Sequence, residues 1–117
     1  MRYMMLIYDN EAIIESQTEA EQQAVFGDYM KFTQEARQAG VMEAGDPLMP
    51  TSSATTVRVK NGKRLTTDGP FAETKEQLGG YYILNCKSLD EALAYAAKIP
   101  AAKYGCIEVR PIMELGG

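Results

Sequence analysis

The sequence predicts an α+β domain of the ferredoxin-like split βαβ plan, with an inserted β-hairpin and two copies joined as a dimeric α/β barrel. Three observations carry this. Two helical repeats each lead from one apolar strand to another, an Asn-Gly pair sits between two strand-like runs, and two strands are apolar on both faces. The chain has 117 residues, a length suited to one domain spanning residues 1–117 with a real hydrophobic core.

The elements follow in order. "RYMMLIY", residues 2–8, is apolar at nearly every position and reads as a strand buried on both sides. Thr18 followed by Glu21 forms the pattern of a capping box. Val25, Tyr29, Phe32, Ala36 and Ala39 then recur at helical spacing until Gly40 stops the helix. "VMEAGDPLMP" reads as a short strand broken at Gly45-Asp46-Pro47. "ATTVRVK" and "KRLTT" flank Asn61-Gly62, which tolerates the positive φ values of a type I′ turn, so a tight hairpin is expected. "GYYILNC", residues 80–86, alternates Tyr81/Ile83 with Tyr82/Leu84, apolar on both sides. A second capping box, Ser88 to Glu91, opens a helix with Leu89, Ala92, Leu93 and Ala96 on one side, ended by Pro100. In "GCIEVRPIM", Ile107 and Val109 face one way, Glu108 and Arg110 the other.

Two helices cover only one face of such a sheet. The other face, apolar in the strands at 2–8 and 80–86, would be a larger exposed patch than monomers usually carry. A second copy, sheet against sheet, resolves this and predicts a two-fold homodimer.

Composition narrows the function. The hydrophobic fraction is 45% and the charged fraction 24%, values of an ordinary globular protein. A net charge of -4 argues against nucleic-acid and anionic-membrane partners. No apolar run approaches the ~18 residues that span a bilayer. "MRYMMLIYDN" has too short an apolar core for a signal peptide and is followed by acidic residues, so a cytoplasmic location is expected. Cys86 and Cys106 are then expected as reduced, buried thiols. The chain contains no histidine, which excludes Ser-His-Asp and Cys-His machinery and any zinc site that needs imidazole. Asp9, Asn10 and Glu11 are oxygen ligands, but three sequence neighbours rarely converge on one cation, so no metal and no cofactor is expected.

The most unusual stretch is "TTDGPFAETKEQLGGYYI", residues 66–83. Asp68-Gly69-Pro70 is a turn by its own chemistry. Phe71 is expected to anchor it in the core, and "AETKEQ" has room for about one helical turn. Gly79-Gly80 permits close approach of a neighbouring strand or a ligand. Together with "MRYMMLIYDNE", "QLGGYYIL", "SLDEALAYAAKIP" and "IEVRP", this stretch resembles the YCII-related family in its DGPF-domain branch, from Met1 to about Ile112. The resemblance implies a ferredoxin-like fold that dimerises through its sheets into a barrel with a cleft. Members of that family have been proposed as enzymes using a His-Asp pair, and one relative resembles a dehalogenating enzyme. The absence of histidine means that pair is not carried over. The DGPF branch is associated with extracytoplasmic-function sigma factors, which implies a sigma factor as partner.

Candidate site residues each carry two readings. Asp68 is a general base if burial raises its pKa, or a cap for its own turn. Glu73 and Lys75 converge on a ligand, or form a solvated ion pair. Arg110 holds a carboxylate or phosphate, or forms a salt bridge with Glu108 or Asp68. Tyr8, Tyr81 and Tyr82 line a cleft, or pack. Two functions follow. The first is a homodimeric ligand-binding or regulatory accessory module with a cleft at the dimer interface. The alternative is a cofactor-free lyase or isomerase acting on a small anionic substrate, with Asp68 or Glu73 as base and Arg110 as anion holder. In either reading Arg110, Lys75, Tyr82 and Tyr8 are the expected ligand-binding residues.

Overall fold

The computed structural model describes residues 1–116. Its elements are β1 (Arg2–Asp9), α1 (Glu11–Glu15), α2 (Glu19–Gln38), β2 (Met42–Pro47), β3 (Thr55–Lys60), β4 (Lys63–Asp68), β5 (Gln77–Asn85), α3 (Leu89–Ala96) and β6 (Cys106–Pro111). The main sheet has the order β2-β5-β1-β6 with every neighbouring pair antiparallel. β1 and β2 thus run in the same direction with β5 between them, and β5 and β6 with β1 between them. This is the interleaved βαβ pair that the sequence predicts. β3 and β4 form a separate two-stranded ribbon.

One face of the sheet carries the core. Tyr3, Met5 and Ile7 of β1 and Tyr82 and Leu84 of β5 are buried there, beneath Phe32 and Ala36 of α2 and Ala92 and Ala96 of α3. Tyr82 packs against Phe32 with the rings tilted at 55° and their centroids 5.0 Å apart, and its hydroxyl is 3.1 Å from Thr33 Oγ1. Small alanines bring α3 close to the strands. The flanking Leu89 and Leu93, expected on the same packed side, are 49% and 47% exposed instead.

The first capping box forms as expected, with Glu21 N–H donating to Thr18 Oγ1 and Thr18 N–H to Glu21 Oε1. The second forms half. Glu91 N–H donates to Ser88 Oγ, but the return bond to Glu91 Oε1 comes from Lys87 N–H. α3 ends at Ala96, and Pro100 opens a short 3₁₀ turn rather than closing the helix. β2 runs through Gly45-Asp46-Pro47 because an edge strand tolerates a proline, with a register shift between Met42 and Ala44. "AETKEQ" forms bends and no helical turn, and Phe71 is 77% exposed rather than anchored. α1, which the sequence reading did not predict, is set by Asn10, whose Oδ1 accepts from Ala12 and Ile13 N–H.

Candidate functional site

The opposite face of the sheet has no helix on it among the described residues. Strand alternation places Met4, Leu6 and Tyr8 of β1 and Tyr81 and Ile83 of β5 on this face, all half-buried, and registers Met4 beside Arg110, Leu6 beside Glu108 and Tyr8 beside Cys106 of β6. Two polar pairs border this apolar floor. At one edge the Tyr81 hydroxyl donates to Asp46 Oδ2 at 2.7 Å. At the other, Arg110 grips Glu108, its Nε donating to Oε2 at 2.9 Å and its Nη2 to the same oxygen. Of the two partners considered for Arg110, the structure selects Glu108. The pair is solvent-exposed, so its net stabilisation is small.

One end of the floor is a rim where β1 ends and β5 and β6 begin. Asp9, Glu76 and Cys106 meet there. Glu76 folds over Gly105, where any added Cβ would lie 3.0 Å from Glu76 Oε2 and 1.9 Å from the Tyr8 carbonyl, so this close approach requires glycine. Cys106 Sγ is 4.0 Å from Glu76 Oε1. Burial pushes the Asp9 carboxyl above its ordinary value, and the charge on Glu76 adds to the rise. Tyr29 of α2 is raised in turn, first by burial and then by Asp9 and Tyr82. Cys106 is exposed, contrary to expectation, while Cys86 is buried, and both are free. Desolvation at the rim, then Glu76, Glu108 and Asp9, push the Cys106 thiol up, which disfavours a thiolate nucleophile.

The Asp9-Asn10-Glu11 run at the end of β1 has divided duties. Asn10 caps α1. Glu11 receives Thr51 N–H at 2.8 Å and Thr51 Oγ1 at 2.7 Å, and its own N–H donates to Gln77 Oε1 at 2.9 Å. Asp9 alone makes no side-chain hydrogen bond among the described residues. No cluster of three or more His, Cys, Asp or Glu residues suited to a metal ion occurs among them either.

Of the residues singled out from sequence, Tyr8 and Arg110 share the open face. Tyr82 lies on the helix-covered face. Asp68 ends β4, exposed. Its carboxylate caps nothing among the described residues; the turn closes instead through Gly69 N–H to the Ala54 carbonyl and Thr56 Oγ1 to the Gly69 carbonyl, at 2.7 and 2.8 Å. Glu73 and Lys75 stand exposed on the bends between the ribbon and β5. Gly80 is close-packed by the neighbouring strand: a Cβ there would sit 3.0 Å from the Asp46 carbonyl oxygen. Sequence reasoning weighed Asp9 only as a metal ligand. Its signal as a titrating group is spatial, because Glu76 is 67 positions away along the chain.

A model of the YCII-related domain matches residues 1–116. The chain belongs to the YCII-related family. An uncharacterised family relative of Rhizobium meliloti (strain 1021) is 39% identical over 114 residues, covering 96% of this chain and 92% of the other. Among solved structures, 5-chloro-2-hydroxyhydroquinone dehydrochlorinase from Burkholderia phenoliruptrix AC1100, in complex with 2,5-dihydroxybenzoquinone, superposes with a TM-score of 0.51. That match covers 97% of this chain and 94% of the other at 14% identity, a likeness of fold between this YCII-related protein and the dehydrochlorinase. No helix among the described residues is long and apolar enough to cross a membrane.

Proposed function

We propose that this YCII-related protein is a homodimeric binding module that holds a small ring compound with an acidic oxygen against the open sheet face. The observation that carries this reading is the half-buried floor of Met4, Leu6, Tyr8, Tyr81 and Ile83, edged by Arg110 and left bare by the helices. Apolar surface bordered by a few oriented polar groups is the usual make-up of a small-molecule site. In this reading Arg110 exchanges Glu108 for the ligand's anionic oxygen, a swap made easy by the exposure of the pair. The fold neighbour's hydroxylated quinone is a compound of this chemical class. A second reading, a cofactor-free proton-transfer enzyme, is favoured by one observation. Asp9 is a carboxyl with a raised pKa and no side-chain hydrogen bond among the described residues, positioned at the rim to take or give a proton.

Titration with 2,5-dihydroxybenzoquinone and with benzoate, followed by backbone NMR, tests both. Binding is expected to shift the amides of Leu6, Tyr8, Tyr81 and Ile83, and Arg110→Ala to weaken affinity about tenfold, the effect of losing one charge-assisted contact. Shifts confined to other regions, or no shift at millimolar ligand, would sink the binding reading. Turnover that disappears in Asp9→Asn while affinity persists would replace the module by the enzyme.

A further inference from the structure

The two outer strands of the main sheet, β2 and β6, each carry a polar group at the border of the open face. Register lines up the side chains between them. Asp46, Tyr81, Leu6 and Glu108 form one row across the four strands, and Ala44, Ile83, Met4 and Arg110 form the next. Within these rows the side chains between the polar edges, Leu6, Ile83 and Met4, are apolar. A ligand lying across the rows meets polar atoms at its two ends.

The two edges have opposite hydrogen-bonding character. Arg110 offers N–H donors and no acceptor, and its present partner is the exposed Glu108. The Tyr81–Asp46 edge offers acceptors. A phenol has one proton to donate, and Tyr81 spends it on Asp46 Oδ2 at 2.7 Å. The Tyr81 oxygen is left with lone pairs alone, and the second oxygen of Asp46 adds further acceptor capacity. The carboxylate also repels the negative end of a ligand, which turns that end towards Arg110.

Tight strand packing sets the acceptor edge. β2 lies so close to β5 that a Cβ on Gly45 would run into the Tyr82 ring, and one on Gly80 would lie 3.0 Å from the Asp46 carbonyl oxygen. Past Pro47 the ladder resumes, with Leu48 N–H donating to the Gly79 carbonyl at 2.9 Å. Asp46 therefore stands on a backbone pinned on both sides. Size agrees with the polarity. β2 and β6 are three strand spacings apart, about 14 Å. One six-membered ring with oxygens at opposite ends, and a hydrogen bond of about 2.8 Å at each, spans about 12 Å.

We propose that Tyr81 and Asp46 set the specificity of this floor for a one-ring acid with a hydroxyl group opposite its acidic oxygen. The hydroxyl donates to the Tyr81–Asp46 pair while Arg110 donates to the acid. The inference rests on the binding reading above and adds the ligand's second functional group and its orientation.

Titration of the full chain at pH 7 with benzoate, 4-hydroxybenzoate and 4-methoxybenzoate, followed by backbone NMR, tests it. The three share the acid and bring to the acceptor edge nothing, a donor, or an ether that cannot donate. The wild type is expected to bind 4-hydroxybenzoate about tenfold more tightly than benzoate, the effect of one hydrogen bond to a charged pair. 4-Methoxybenzoate is expected to bind no more tightly than benzoate. Asp46→Ala returns the Tyr81 proton to the floor, where the ether can accept it, so the hydroxy and methoxy acids should bind within about twofold of each other. Tyr81→Phe keeps the ring and removes the oxygen, and 4-hydroxybenzoate should fall to the affinity of benzoate. A pair that only fastened β2 to β5 would change stability in these variants and leave the order of the ligands untouched. Binding of all three acids by the wild type within about twofold overturns the acceptor edge and leaves the binding reading standing. Discrimination between hydroxyl and ether that survives in either variant also overturns it. No shift of the floor amides with any of the three overturns both.

Discussion

At the scale of single residues, the carboxyl of Asp9 couples structure to pH. Burial and Glu76 both favour its protonated form in the folded protein, so the native state holds this proton to higher pH than the unfolded chain does. The sign follows directly. Where the native state binds more protons, stability falls as pH rises, and the fall begins near the ordinary value of 3.8 and continues through the raised folded value. Asp9→Asn cannot ionise, so the variant is expected to gain stability at pH 7 relative to wild type and little at pH 3. Urea midpoints measured from pH 3 to pH 7 check this, and two curves that stay parallel across that range would refute it. Very little of this was legible in the sequence. "DNE" is visible as a run of oxygen-bearing side chains, and Asn10 caps α1 locally, but the roles of Asp9 and Glu11 depend on Glu76, Gln77 and Thr51, which reach them only through the fold.

At the scale of elements, what the sequence predicted well was what local chemistry decides. The Thr18–Glu21 box and the Asn61-Gly62 turn are each specified within a few residues, and both form as expected. Thr18→Ala removes the side-chain acceptor for Glu21 N–H at the start of α2 and is expected to lower stability by about 1 kcal/mol. Chemical denaturation of the exposed-cap variant checks it, and Thr18→Ser should restore most of the loss. Elements decided by distant partners were misread. The bends at 71–76 lack helix because this segment must return from the ribbon to the rim, where Gln77 and Glu76 engage α1 and β6. Leu89 and Leu93 have helical spacing compatible with a core stripe, yet the tight approach of Ala92 and Ala96 to the sheet moves both leucines to the flank. Proline in β2 argued for a broken strand and instead marks an edge, a distinction that depends on strand order.

At the scale of the whole molecule, the alternation "YMMLIY" and "YYIL" anticipated a sheet with two apolar faces, and the structure assigns one of them to the helices and leaves the other half-exposed. The projection of the ribbon was not anticipated, because strand propensity says nothing about what a hairpin packs against. The open face yields the sharpest global prediction. Ile83 lies near its middle, registered with Met4 on β1 and Ala44 on β2, and points away from the core. Ile83→Glu places a charge on this floor without entering the packing beneath α2 and α3, so the subunit should stay folded. If the floor is covered by a second copy, the buried glutamate must pair, protonate or leave, and burying an unpaired charge costs several kcal/mol. The variant is then expected to sediment as a folded monomer and to lose its affinity for ring-bearing acids in the same step. Dimer mass and ligand affinity both unchanged by Ile83→Glu would mean that the bare face serves neither assembly nor binding. Loss of ligand affinity with the dimer intact would place the ligand on the floor and the subunit contact on another surface.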